Sequence, residues 1–156
     1  PIVAGPTEPI VIERIRSSAD GQVIAFAMSG SADIPGLPQF AFPSQIIVLD
    51  RRSGQFELAS RTPSGGVHNA VQGLGPMSMS RDGRYIAFSV GATNLDPSAT
   101  EPGRLYLFVY DRSDQTVRAM DWDVNSGTGA ISPDGSYAVF WCRRGSTFVR
   151  DLCLRS

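Results

Sequence analysis

The sequence predicts an all-β chain, a β-propeller segment of about three four-stranded antiparallel blades. Three observations predict it. A short phrase occurs three times, as Ser18-Ala19-Asp20-Gly21, Ser80-Arg81-Asp82-Gly83 and Ser132-Pro133-Asp134-Gly135. Each copy runs into an apolar stretch ending in phenylalanine: Val23-Ile24-Ala25-Phe26, Tyr85-Ile86-Ala87-Phe88 and Tyr137-Ala138-Val139-Phe140. A second phrase follows in each repeat: Ile47-Val48-Leu49-Asp50, Phe108-Val109-Tyr110-Asp111 and Phe148-Val149-Arg150-Asp151. From the first aspartate to the second is 30, 29 and 17 positions in turn, so the order is constant while the connection varies. A fixed pair of strands joined by an elastic surface loop behaves in this way. Recurrence on this scale marks an array whose units bury their faces against their neighbours.

The second repeat shows the elements in order. Pro76 to Ser80 reads as a short strand, and Arg81-Asp82-Gly83 as a tight turn with glycine where φ is positive. Arg84 to Val90 is the next strand and 91–103 a polar loop. Arg104 to Tyr110 is the third strand, Asp111 to Asp114 a turn, and Gln115 to Met120 the fourth. Leu105 to Tyr110 has no polar residue on either face, and a strand apolar on both faces is covered on both. β-Branched and aromatic residues in short runs argue against helix. By the same reading the blades span about 11–63, 76–120 and 127–156, within one partial domain over 1–156, the last blade lacking its outermost strand. Residues 1–10 read as the tail of a preceding blade. Closed propellers typically carry four to eight blades, so the expectation is a piece of a larger ring, with closure by self-association as the alternative.

The bulk properties exclude some classes. The formal net charge is −1 over 156 residues, which gives no basic surface for nucleic acid or an acidic membrane. No apolar run is long enough to span a bilayer. The chain begins at Pro1 without a basic-then-apolar leader, and is expected to be a processed or excised segment. Cys142 and Cys153 leave the redox compartment open.

The phrase Ser80-Arg81-Asp82-Gly83-Arg84-Tyr85-Ile86-Ala87-Phe88-Ser89, with Gly91-Ala92-Thr93-Asn94-Leu95 and Phe108-Val109-Tyr110-Asp111-Arg112, resembles the repeats of TolB-like six-bladed propellers. It looks like the long-loop variety of large secreted or envelope-associated bacterial proteins, over about residues 13–155. The resemblance implies a periplasmic or extracellular place and repeats whose conserved phrases are structural. It also implies that a cysteine near the third repeat's last strand, here Cys153, pairs with one shortly downstream, a position beyond Ser156. The third repeat departs by its short connection.

Few residues suggest chemistry. Asp20, Asp82 and Asp134 fall in different blades, and an aspartate beside Gly21, Gly83 or Gly135 serves a turn by accepting backbone N–H bonds. The motif is not the sialidase box, since glycine directly follows aspartate. His68 lacks a nucleophile elbow or partner acid, so a solvated loop histidine is expected. Trp141 reads as core between blades, and Trp122 as an exposed aromatic contact. The loops 29–44, bearing Ile34, Leu37, Phe40 and Phe42, and 91–103 are read equally as folded back or as presented to a partner. Asp121, Asp123 and Asn125 alternate as oxygen ligands do in calcium loops, but the late bidentate acid is missing and Ser132 stands in its place. Ca²⁺ at micromolar concentration is therefore expected to leave the melting temperature unchanged. A rise abolished by Asp123→Ala in a melt against chelator would make 121–127 a metal loop.

The function expected from sequence is a non-catalytic binding or scaffold module with no cofactor. Its partner is another protein or the neighbouring blades of a longer chain. The alternative is the propeller of a prolyl-oligopeptidase-like hydrolase whose catalytic domain lies elsewhere.

Overall fold

The structure, a computed structural model, describes residues 3–4, 10–30, 32–40, 44–70, 74–122, 129–143 and 150–155. Among them every regular element is a strand. In chain order these are β1 (Val3–Ala4), β2 (Val11–Ser17), β3 (Val23–Ser29), β4 (Ala32–Asp33), β5 (Gln45–Asp50) and β6 (Gln55–Leu58). There follow β7 (Met77–Met79), β8 (Tyr85–Val90), β9 (Tyr106–Asp111), β10 (Thr116–Trp122), β11 (Gly129–Ile131), β12 (Ala138–Arg143) and β13 (Arg150–Arg155). Blade 1 is the antiparallel meander β2-β3-β5-β6, and blade 2 is β7-β8-β9-β10. Blade 3 has the three strands β11-β12-β13.

Of the segment expected as the tail of a preceding blade, Val3, Ala4 and Ile10 are described. β1 pairs with β4, Val3 opposite Asp33 and Ala4 opposite Ala32, within the long connection of blade 1. A two-residue strand satisfies its backbone groups wherever a free partner lies near, and the chain itself supplies one here.

Alternation along the strands sorts side chains to opposite sides of each blade. Ile86, Phe88, Val90, Phe108 and Tyr110 of blade 2 meet Val23, Ala25, Ala27, Ile46 and Val48 of blade 1 in one buried cluster. Phe88 and Phe108 stack across β8 and β9 with ring centroids 5.8 Å apart. Ala87, Leu107 and Val109 face the other way and pack on Ala138 and Phe140 of blade 3. Phe88 and Phe140, which close the second and third repeat phrases, thus face the blade before. In blade 1 that face carries Phe26, Met28 and Ile47, and no earlier blade is described to cover it.

The long connections settle the question that sequence left even. Ile34 and Phe40 are buried against Phe26, Met28 and Ile47, with Leu37 packed beside them. Ala92, Leu95 and Ala99 of the second connection are buried in the cluster between blades 1 and 2. These residues belong to the core, and Phe42 lies outside the described residues. Asp96 fastens the second connection by accepting the N–H of Ala119 at 3.0 Å, beside the bulge in β10.

Candidate functional site

The three Ser-x-Asp-Gly turns are built alike and lie at one end of the blades. In each the serine hydroxyl donates to the aspartate Oδ1, at 2.6, 2.7 and 2.6 Å for Asp20, Asp82 and Asp134. The same oxygen accepts the backbone N–H two residues on, from Gln22, Arg84 and Ser136. The serine Oγ accepts the N–H of Val23, Tyr85 and Tyr137. These bonds favour the charged carboxylate. The serine hydroxyl foremost holds Asp20 and Asp82 below the usual range, and Ser132 with Ser136 takes Asp134 down to about 2. Each carboxylate is occupied by its own turn, and the three do not converge.

The turns also join blade to blade. Ala19 N–H donates to the Arg81 carbonyl at 2.8 Å, and Arg81 N–H to the Pro133 carbonyl at 2.7 Å. Gly83 has φ +76°, and a Cβ there would stand 2.7 Å from Val23 Cβ. Gly135 has φ +75°, and a Cβ there would overlap the Tyr85 ring. Only glycine allows both the backbone conformation and this approach. The turn of each later blade therefore sits on the residue two places beyond the glycine of the blade before.

Ion pairs reinforce that end. Arg84 grips Asp111 with two bonds, Nε at 2.9 Å and Nη2 at 2.8 Å, which brings Asp111 down to about 2. Arg112 of blade 2 reaches across to Glu57 and Asp50 of blade 1, and Tyr110 Oη donates to the same Glu57 at 3.1 Å. Burial opposes the charge on Arg112, but the two carboxylates outweigh it and its proton is held more firmly. Sequence reading missed this bridge, because Arg112 and Glu57 are far apart in the chain and Glu57 belongs to no repeated phrase.

At the opposite end of the blades, His68 corrects an expectation. It is not a solvated loop residue: it is 2 % exposed. Its Nδ1 accepts the Ala70 N–H at 3.2 Å, so the proton is on Nε2, which donates to the Ser44 carbonyl at 2.9 Å. Asn69 beside it is clamped to the second connection. Its N–H donates to Asn94 Oδ1, its Nδ2 to Thr93 Oγ1, and its Oδ1 accepts from Thr93 N–H. Segment 67–70 thus ties both long connections together. Its burial was not legible because the Ser44 partner comes from another loop.

A proton added at Nδ1 would face the Ala70 N–H, and burial already disfavours the charged ring, so His68 titrates below its usual 6.5. Unfolded, the ring takes its proton near that usual value. The stability it carries is complete above that pH and falls away as pH drops through it, by up to about 1.4 kcal/mol per pH unit. Denaturation midpoints are expected to decline between pH 7 and pH 5, with a shallower decline for His68→Gln. Parallel curves for the two proteins would remove His68 as the cause.

Between blades 2 and 3 a cleft of about 270 Å³ opens at the turn end, lined by Tyr85, Asp111, Asp114, Arg118, Met120 and Tyr137 among others. It combines both charges with aromatic surface. Trp141, expected as core, is 43 % exposed, because it lies on the side of β12 opposite Phe140. Asp123 and Asn125 lie outside the described residues, as do the side chains of Asp121 and Trp122. Among the described residues no cluster of three metal-binding side chains occurs, and no helix is long and apolar enough to cross a membrane. The register of β12 and β13 sets Cys142 opposite Asp151 and Cys153 opposite Phe140.

Solved structures share this arrangement. The chain is similar to the β-propeller domain of the Trilobed protease from Pyrococcus furiosus, with TM-score 0.56 and 13 % identity, over 85 % of this chain and 34 % of that one. The fold is that of a β-propeller. The chain is also similar to Pyrococcus horikoshii acylaminoacyl peptidase, with TM-score 0.52 and 13 % identity, over 90 % of this chain and 19 % of that one. For TolB from Acinetobacter baumannii the TM-score is 0.49 and the identity 17 %, over 90 % of this chain and 29 % of that one. The chain spans about a third or less of these propeller proteins. No protein-family model and no curated protein matches it.

Proposed function

We propose that the chain is a non-catalytic propeller module that binds a protein partner at the turn end of its blades. The observation that carries this reading is the cleft between blades 2 and 3. Arg118 offers a cation, Asp114 an anion, and Tyr85 with Tyr137 apolar faces, a set suited to an extended peptide segment. The repeated carboxylates support the reading from the other side, since each is engaged by its own serine and backbone. An envelope or extracellular place follows from the TolB-like resemblance of the repeats and is part of the proposal. Peptides selected by display against the immobilised chain, then titrated by fluorescence anisotropy, test it. Arg118→Glu should weaken a selected peptide about tenfold or more. Peptides that bind with no sensitivity to the cleft would discard the site.

A second reading is the propeller of a hydrolase, favoured by the two matches to protease and peptidase structures. It predicts a Gly-x-Ser-x-Gly motif in the same open reading frame, and labelling of the full protein by a serine-reactive phosphonate. Absence of both from the whole gene product would reject it.

A further inference from the structure

The turns that join the last two strands of blades 1 and 2 follow one plan. In blade 1 the turn runs from Asp50 to Gln55 and in blade 2 from Asp111 to Thr116, the first residue paired with the last in each. The leading aspartate accepts the N–H two residues on, from Arg52 at 2.9 Å and from Ser113 at 2.9 Å. Both turns pass through positive φ just before the strand resumes. Blade 1 places Gly54 there, at φ +73°. Blade 2 places Gln115 there, at φ +57°, the only non-glycine residue with positive φ among the described residues. Asparagine and aspartate visit this region because a short polar side chain can bond locally, and glutamine lacks that help. Strain of this kind persists only where the surrounding structure imposes it, and it collects at ligand clamps.

The contact that imposes it comes from blade 1. Arg61, in the segment after β6, donates from Nη1 to Gln115 Oε1. Arg61 is itself held in place. Its backbone bridges to Val67, and its guanidinium lies against Gly65, where a Cβ would stand 3.2 Å from Nη2. Blade 1 grips the same turn a second time, through Glu57 and Asp50 on Arg112. On its other side the turn gives Asp114 and Thr116 to the cleft between blades 2 and 3. Asp114 Oδ1 accepts the N–H of Thr116 at 3.1 Å and its hydroxyl at 2.6 Å. The two flank Gln115, so a change of its backbone conformation would displace both. Glycine would adopt the same conformation without strain, but would leave it as readily.

We propose that Arg61 and Gln115 are positioning residues for the cleft, a role that rests on the peptide reading of that site. Arg61 holds Gln115 in the left-handed conformation and so fixes Asp114 and Thr116 as a rigid wall for the docked peptide. A wall ordered beforehand spares the complex the cost of ordering it on binding. Neither Arg61 nor Gln115 lines the cleft, so both act through the turn alone.

Two measurements on the 156-residue chain test this. Hydrogen exchange reads the turn with no peptide present. The Ser113 and Thr116 amides should exchange about tenfold faster in Arg61→Ala and in Gln115→Gly than in the wild type, while Arg52 and Gln55 keep their rates. Anisotropy titration of a selected peptide that Arg118→Glu weakens reads the consequence. Each variant should bind it about tenfold more weakly, and the double variant no more weakly than either, since all three lose one contact. Denaturation midpoints separate positioning from plain support. Gln115→Gly relieves strain, so its midpoint should hold or rise while its affinity falls. Unchanged exchange at Ser113 and Thr116, or a cleft peptide that binds both variants like the wild type, would overturn the proposal alone. An affinity that falls only in step with the midpoint would overturn it too, leaving the pair as structural support. If no peptide is sensitive to Arg118→Glu, the peptide reading falls and this role with it.

Discussion

Phe88→Ala is expected to lower the unfolding free energy by about 3–5 kcal/mol, the range for removing a buried aromatic ring from a packed core. Phe88 is fully buried, stacks on Phe108, and lies in the cluster that joins blade 2 to blade 1. The ring is held on one side by its own sheet and on the other by a second sheet, so the cavity cannot collapse without moving a blade. Denaturant midpoints at constant slope report the loss. A steeper or shallower slope would show instead that the blades come apart before the chain unfolds. A loss under about 1 kcal/mol would show that the two blades do not pack through this residue.

The glycine turns carry the second large effect. Gly83→Val meets two penalties. A β-branched residue at φ +76° costs about 1–2 kcal/mol or more, and its Cβ meets Val23 at 2.7 Å, an overpacking cost of about 1–3 kcal/mol. Gly21→Ala isolates the cost of a side chain at positive φ, because the nearest described atom to a Cβ there is Arg51 Nη1 at 3.9 Å. Asp82→Asn keeps an acceptor for Ser80 and Arg84 and should cost least. Chemical denaturation of the three variants should rank them in that order. If Asp82→Asn were the most damaging, the carboxylate would have a task outside its turn.

The repeated phrases made the meander of blades 1 and 2 legible, since each couples a turn that needs glycine to a strand that needs cover on two faces. Strand ends fell within a residue or two of expectation, as for β8 and β9. What escaped was contact between segments without a shared pattern. Ile34 and Phe40 looked the same in sequence whether buried or displayed. His68 is a single residue whose burial depends on a carbonyl from another loop. Trp141 was read from its strand alone, but its exposure depends on what stands beyond blade 3. The joining of Arg112 to Glu57 requires knowing which blades are adjacent. The cleft was equally hidden, because its lining comes from two repeats and its shape from the gap between them.

The seating of each turn on the repeat before it gives the array a direction in time. Val23 and Tyr85 are synthesised ahead of Gly83 and Gly135, the glycines that come to rest on them. A nascent chain emerging from its N-terminus presents a finished platform to each blade as that blade appears. Folding then adds one unit at a time onto an existing template. Mechanical pulling from the C-terminus should peel the blades away in the reverse order, each releasing the platform of the one before.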